Sequence, residues 1–176
     1  VIGCPEFIDK LGWVDINHVL EGEYAAVHMA DCGYEDVVFI TSRATNGIAA
    51  SRLKGFKKKM LNLGLHVTKE NIWYINANTN DAYKPTIDYI TEHANTHHGQ
   101  PPHAIICENS AFASSIIKAI YDMGLKIPED IAFLGFDQYP YINMVYPAPT
   151  VINIDVFDLG VQAGLMMIRK LENPAI

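Results

Sequence analysis

Three polar side chains of types that suit ligand binding each follow a short apolar run: Arg52, Asn109 and Asp137. If the apolar runs are parallel strands, their carboxyl ends meet at one edge of a sheet, so the three side chains can converge on one cleft. A guanidinium, an amide and a carboxylate together donate to and accept from vicinal hydroxyl groups without demanding a charged ligand. The pattern therefore predicts a site for a neutral polyhydroxyl molecule.

Each of these residues also has a structural alternative that the residue types alone leave open. Arg52 suits an intramolecular ion pair as well as it suits a ligand. Asn109 can cap the helix that follows it, and Asp137 can cap a turn. Spacing within the sequence does not separate these roles from ligand binding.

Other candidate chemistry is weaker. His93, His97 and His98 invite a metal site, but they fall at a predicted helix end without a nearby carboxylate, which favours a solvated helix terminus. Ser114-Ser115 lacks a G-x-S-x-G context, and the sequence contains neither G-x-G-x-x-G nor G-x-x-x-x-G-K-[ST]. Nothing pairs a nucleophile with a base, so we expect a binding protein, with no enzymatic activity, metal or cofactor.

Composition restricts the class of protein further. The chain has 176 residues, 49% hydrophobic and 19% charged, which is typical of a globular domain, and no apolar run is long enough to span a bilayer. Its net charge of −7 opposes binding of a phosphate backbone by this chain. The cysteines are odd in number and lack C-x-x-C spacing, which favours small buried side chains in a reducing cytoplasm: Cys4, Cys32 and Cys107.

Strand and helix patterns alternate along the chain, which predicts an α/β fold with a doubly wound, mostly parallel sheet. Four central strands are expected near Val37, Ile72, Ala104 and Ile131. Helices are predicted at about 21–32, 49–63, 111–123 and 157–171, with another beginning after Asp81. The last helix is apolar nearly all round and is expected to be covered on more than one side.

The flanking segments do not complete a unit of their own. We expect residues 18–150 to form one lobe, and residues 1–17 and 151–176 to be parts of a second, incomplete lobe.

Five short motifs occur in an order that resembles the effector-binding domain of the lactose/galactose repressor (LacI/GalR) family, which is similar in fold to periplasmic sugar-binding proteins. Two of them are Arg52 to Phe56, like the family's R-x-x-G-F, and Gly124 to Asp137, like its G-x-x-I-P-x-D-I-x-x-x-G-F-D. The others are Gly33-Tyr34, Cys107 to Ser110 with Ala113, and Pro147 to Val151 with Gly160 and Ala163. The resemblance covers nearly the whole chain.

The resemblance implies a two-lobed sensor whose cleft holds a sugar or a related small effector. The family's cleft arginine, aspartate and strand-end asparagine match Arg52, Asp137 and Asn109. Asn17 and Ser110 stand where the family usually has aspartate. Ala77 stands where an aromatic residue often stacks on the ligand, and Ile48 is expected to form part of the cleft wall.

The resemblance also implies partners. Family members are homodimeric cytoplasmic regulators that read DNA through a helix-turn-helix headpiece, which this sequence does not contain. DNA is thus expected to be reached only through such a headpiece, and no membrane is expected to be involved. The alternative is a periplasmic sugar-binding protein of a transporter, which shares the fold and the hydroxyl-binding chemistry.

Overall fold

The computed structural model describes residues 1–3, 12–42, 47–76, 81–137 and 146–173. The chain divides into two compact units, His18–Asn153 and a smaller one made of Val1–Asn17 and Ile154–Ile176. The larger unit ends at Asn153, three residues after the predicted end at residue 150, because the strand at residues 150–152 pairs with its sheet.

The larger unit is built on one parallel sheet, which confirms the predicted α/β class. Its strands are β1 (Val37–Ser42), β2 (Ile72–Ile75), β3 (Ala104–Cys107), β4 (Ala132–Phe136) and β5 (Thr150–Ile152). They lie in the order β2-β1-β3-β4-β5 and every neighbouring pair is parallel. The four predicted strands are its largely buried members, in which only Tyr74 is exposed and Ser42 half-buried. The fifth was not expected there, since it is a short and only partly buried strand next to β4 alone.

Helices cover both faces of this sheet. They are α1 (His18–Asp31), α2 (Gly47–Asn62), α3 (Tyr83–Thr96) and α4 (Ser110–Asp122). Side chains of α1 and α2 share one apolar core with Val37 and Phe39, whereas those of α3 and α4 share the other core with Val38 and Ile40. Because successive strand residues point to opposite faces, a strand buried on both sides must be apolar throughout. This requirement explains why the sequence identified β1 to β4.

Two glycines allow α1 and α2 to touch along their backbones. A Cβ atom added to Gly22 would lie 1.9 Å from the carbonyl oxygen of Arg52, and one added to Gly55 would lie 1.9 Å from that of Val19. No side chain of any size fits at either position. The glycine of the R-x-x-G-F motif is therefore required by helix packing.

The described residues of the smaller unit include the helix α5 (Val156–Glu172), in which no residue is buried. The described chain does not cover this apolar helix, since Phe157, Met167 and Leu171 are exposed, and its coverage by other groups stays a prediction. Among the described residues of this unit, Ile2 and Val14 form a parallel β-bridge. In the described part of the chain, no helix combines the length and the apolar character needed to cross a membrane.

The close contact of α1 and α2 predicts a large effect of a very small substitution. We expect Gly55→Ala to lower the free energy of unfolding by about 3 kcal/mol, because the new methyl group overlaps a backbone oxygen that cannot move alone. Lys54→Ala, the exposed neighbour on α2, should change it by less than about 0.5 kcal/mol. Urea denaturation followed by circular dichroism measures both, and equal values would contradict the packing argument.

Candidate functional site

The sheet of the larger unit has a topological switch point between β1 and β3. β1 leads into α2 on one face, whereas β3 leads into α4 on the other face, so a crevice forms at the carboxyl ends of these strands. Thr41 and Glu108 lie at the ends of β1 and β3, and Asp137 directly follows β4. Ligands of open α/β sheets bind at this position.

Arg52 and Asp137, two of the residues that the sequence predicted to converge, are in direct contact. Nη2 of Arg52 donates to Oδ1 of Asp137 at 2.9 Å, and Nη1 donates to Oδ2 at 3.1 Å. The pair is therefore a two-pronged contact between a guanidinium and a carboxylate, the geometry that gives the strongest and most directional ion pairs. Its members are unequally covered, since the side chain of Arg52 is 4% exposed and that of Asp137 is 34% exposed.

The remaining donors of Arg52 are also occupied by protein atoms. Nε and Nη2 donate to the two carboxylate oxygens of Glu21 at 2.9 and 3.3 Å, and Nη1 donates to the backbone oxygen of Glu108 at 2.9 Å. The five N–H groups of the guanidinium are thus all used within the chain. Its central carbon also lies 4.5 Å from the ring centre of Phe136, over the aromatic face.

The surroundings of Arg52 favour its charged form. Burial disfavours the charged form, but the hydrogen bonds to Glu21 and then to Asp137 outweigh burial, so the pKa of the guanidinium is raised.

The packing of α1 against α2 positions Arg52. Arg52 lies one turn before Gly55 on α2, and Glu21 adjoins Gly22 on α1. The contact that the glycines permit brings the two side chains together.

Asp137 has an unusual backbone conformation. Its φ is +65°, in the left-handed region that aspartate and asparagine tolerate better than most residues with side chains. Its backbone N–H donates to the carbonyl oxygen of Ile152 at 2.9 Å, so β5 holds the backbone while Arg52 holds the side chain. Each carboxylate oxygen can accept two hydrogen bonds, so Asp137 still has acceptor capacity on its exposed side.

Glu108 is a second acid at this edge, and it is 4% exposed. Its Oε2 accepts from the hydroxyl of Thr41 at 3.2 Å, and the backbone N–H of Ser42 also donates to it. Burial raises the pKa of this carboxyl above its usual range, and the nearby charge of Asp137 adds to the effect, although the two hydrogen bonds and Arg52 oppose it.

Asn109 adopts the role that the sequence left open as an alternative to ligand binding. It is the N-cap of α4, and its side-chain oxygen accepts from the backbone N–H of Ala111 at 2.9 Å. The cap leaves the amide NH₂ of this exposed side chain as a possible ligand donor. Ser110 begins α4 beside it.

The other predicted ligand-binding residues are more widely distributed. Ile48 is 48% exposed in the first turn of α2. Asn17 is exposed and belongs to the smaller unit, one residue before α1 begins. Ala77 lies outside the described residues. Ligand contact by these three residues stays a prediction.

The histidine cluster differs from its predicted form. His93 was expected at a solvated helix end without a carboxylate partner, but its Nε2 lies 3.0 Å from Oδ2 of Asp36 and its side chain is buried. Its ring also stacks on that of His97, with the ring centres 3.9 Å apart. Nowhere among the described residues do three His, Cys, Asp or Glu side chains form a group that could hold a metal ion.

The described cysteines separate into two cases. Cys107 is a buried side chain of β3, as predicted, and burial raises the pKa of its thiol to about 12. Cys32 is exposed after α1, contrary to the expectation of a buried residue.

Sequence reasoning did not assign Glu21, Thr41 or Glu108 to the site. Glu108 carried a usable signal, because a charged residue directly follows an entirely apolar strand. Glu21 carried a weaker one, since it precedes a glycine within a helix. The strand order that brings Thr41 beside Glu108 was not available from spacing.

Arg52 should be essential to stability because its removal takes away the guanidinium that binds the carboxylates of both Glu21 and Asp137. We expect Arg52→Met to lower the free energy of unfolding by about 3 to 5 kcal/mol. Lys58→Met on the same helix removes an exposed ion pair with Glu23, at 2.8 Å, and should have little effect. Comparable losses in urea denaturation would show that burial of the arginine does not matter.

Glu108 should give stability a specific pH dependence. Because its pKa is higher in the folded chain than in the unfolded one, its contribution is fully present below the unfolded pKa, about 4.3, and is lost as pH rises through the folded value. The unfolding free energy of the native chain minus that of Glu108→Gln should therefore fall as the pH rises above about 4, in measurements made from about pH 4 to about pH 8. Urea denaturation across this range measures the difference, and a flat difference would refute the assignment.

Comparisons with known proteins agree with this architecture. A model of the periplasmic binding protein-like domain matches residues 26–176. The HTH-type transcriptional repressor PurR of Glaesserella parasuis is 30% identical over 158 residues, which cover 89% of this chain and 45% of that protein. The chain thus spans about half the length of the curated relatives it matches.

Solved structures show the same fold at low sequence identity. A regulatory protein of the LacI family from Chloroflexus aggregans superposes with a TM-score of 0.81 at 18% identity, over 97% of this chain and 58% of that one. A complex of the transcriptional regulator CelR with cellobiose gives 0.78 at 16% identity, over 98% and 52%. The domain match and the PurR relative agree with the resemblance seen in the motifs and do not favour the transporter alternative, while the solved structures show the shared fold. The chain belongs to the periplasmic binding protein-like domain family.

Proposed function

We propose that the larger unit binds a small polyhydroxyl effector at the carboxyl edge of its sheet, as the sensing part of a transcription regulator. The observation that carries this proposal is the carboxylate of Asp137, which Arg52 fixes in position at the carboxyl end of β4, beside the switch point, while a third of the side chain stays exposed. A fixed carboxylate is a good acceptor for hydroxyl groups because little freedom is lost when the ligand binds.

Asp137 is the primary ligand contact in this proposal. Arg52 has its N–H groups occupied, so its role is to orient Asp137, and a ligand hydroxyl would have to share or replace one of these bonds to reach it. The side-chain NH₂ of Asn109 supplies a donor that complements the Asp137 acceptor. Ile48, Asn17 and Ala77 are proposed as further contacts.

The relatives support a sugar or a related compound as the effector. One structural neighbour is described as a complex with cellobiose, and another is a sugar-binding transcriptional regulator. The curated relatives are transcriptional regulators rather than enzymes. We propose both properties for this protein. From the family resemblance of the motifs we also propose DNA binding through a separate headpiece, assembly as a homodimer and a cytoplasmic location. Effector binding then changes the affinity for DNA, and DNA binding changes the affinity for the effector by the same factor.

The test is calorimetry of the full chain with neutral sugars, namely ribose, glucose, galactose and cellobiose. Asp137→Asn should weaken the binding of whichever sugar binds by about 10- to 100-fold, the loss expected when a hydrogen bond to a charged group becomes a neutral one. Asparagine also tolerates the left-handed backbone conformation of Asp137, so the fold should be retained.

Asp88→Asn is the matched control, since Asp88 is an exposed carboxylate on α3 that pairs with Lys84. It should bind the sugar as the native chain does. If Asp137→Asn, shown by circular dichroism to be folded, also binds with native affinity, Asp137 is not the primary contact and the proposed site is wrong.

A further inference from the structure

Glu21 contacts Arg52 in a way that sets the plane of the guanidinium. Its two carboxylate oxygens accept from Nε at 2.9 Å and from Nη2 at 3.3 Å, which form the side edge of that group. Asp137 binds a different edge, at Nη1 and Nη2. Because arginine carries its guanidinium on a long stem with several rotatable bonds, one carboxylate alone leaves the group free to swing about that contact. Carboxylates on two edges fix its orientation.

The carboxylate of Glu21 has little freedom of its own. The residue is buried on α1 directly before Gly22, where α1 and α2 touch along their backbones. His18 begins the same helix, and its Nδ1 lies 2.7 Å from Oε2 of Glu21. The helix and this ring hold the carboxylate, so it gives Arg52 an acceptor at a defined position.

A continuous line of hydrogen-bonded side chains therefore leads to the partly exposed carboxylate of the site. It consists of His18, Glu21, Arg52 and Asp137, in that order. Its outer end is the first residue of the larger unit. Bonds in such a line depend on one another, since the orientation of each side chain decides whether the next bond forms.

We propose that Glu21 is a positioning residue of the effector site, which orients Arg52 and, through Arg52, the carboxylate of Asp137. The inference rests on the proposed function and adds a residue that acts through Arg52 rather than on the ligand. Positioning reduces the freedom that Asp137 loses when the ligand binds, so removing Glu21 weakens binding although no ligand contact is lost. His18 is the outer end of the line, so ligand binding at Asp137 changes the environment of its ring.

Calorimetry of the full chain with ribose, glucose, galactose and cellobiose tests this role. Glu21→Gln keeps the length of the side chain and one acceptor, but it places an NH₂ group against an N–H donor of Arg52. It should weaken the binding of whichever sugar binds by about three- to tenfold in the native background, and by less than about twofold in Asp137→Asn, because Glu21 acts through that carboxylate. Equal losses in both backgrounds, or no loss, would overturn the inference.

Glu23→Gln is the matched control. Glu23 lies on the same helix and also pairs with a residue of α2, Lys58 at 2.8 Å, but this pair shares no residue with the line to Asp137. The variant should keep the sugar affinity within about twofold of the native value. A loss as large as that of Glu21→Gln would mean that contact between the two helices, and not the orientation of Arg52, controls affinity, and the inference would be wrong.

Nuclear magnetic resonance tests the orientation without a ligand. In a chain whose aspartates are isotopically labelled at the carboxyl carbon, the signal of Asp137 is identified by its loss in Asp137→Asn. This signal should move in Glu21→Gln and stay in place in Glu23→Gln. A signal that does not move in Glu21→Gln, shown by circular dichroism to be folded, contradicts the positioning role.

The native chain provides a second measurement that needs no folded Glu21→Gln. As the sugar is added, the ring signals of His18 should shift with the same midpoint as the carboxyl signal of Asp137. Ring signals that stay unchanged while the Asp137 signal shifts would break the proposed line at its outer end and overturn the inference.

The two proposals fail in different ways. If a sugar binds in a manner that depends on Asp137 but not on Glu21, the positioning role is wrong and the proposed function stands. If no sugar binds, the proposed function is wrong, and the response of the Asp137 signal to Glu21→Gln alone decides whether Glu21 orients that carboxylate.

Discussion

The geometry of this site depends on one buried guanidinium. Arg52 joins α1, α2 and the ends of β3 and β4 through bonds to Glu21, Glu108 and Asp137, and it lies on the ring of Phe136. A buried ion is tolerated only when its charge and its donors are all matched. Every N–H donor of Arg52 has an acceptor here, so the position of each acceptor depends on the others. The side chain of Asp137 is therefore oriented by residues far from it in the chain.

The strands of the sheet could be predicted because burial on both faces leaves a direct mark on composition. Val37 to Thr41 has no alternation of polar and apolar residues, and a segment so short and so apolar fits the interior of a parallel sheet. β5 left no such mark. It has three residues and one neighbour, so its assignment to this sheet depends on pairing with β4, which local pattern does not encode.

The site could be predicted in part. The strand-end rule placed Arg52, Asn109 and Asp137 at one edge, but it could not decide how they divide their hydrogen bonds. Glu21 and Asp137 lie 31 and 85 positions from Arg52, and only the folded chain shows that both contact it. His93 illustrates the same limit, since Asp36, its partner across the fold, is remote in sequence. Residue type indicates what a side chain can do, whereas long-range contacts determine what it does.

The backbone contact at Gly22 and Gly55 has a mechanical consequence. Sliding α1 along α2 by one residue, about 1.5 Å, would drive a side chain into a carbonyl oxygen that now faces a glycine. The glycine contacts therefore prevent the two helices from sliding past each other, and the backbone of Arg52 keeps its position relative to α1. Asp137 sits instead at a junction with β5, held by one backbone hydrogen bond beyond β4. A pull on the carboxylate of Asp137 would thus load its bonds to Arg52 on the helix pair and, through the backbone, its hydrogen bond to Ile152 of β5.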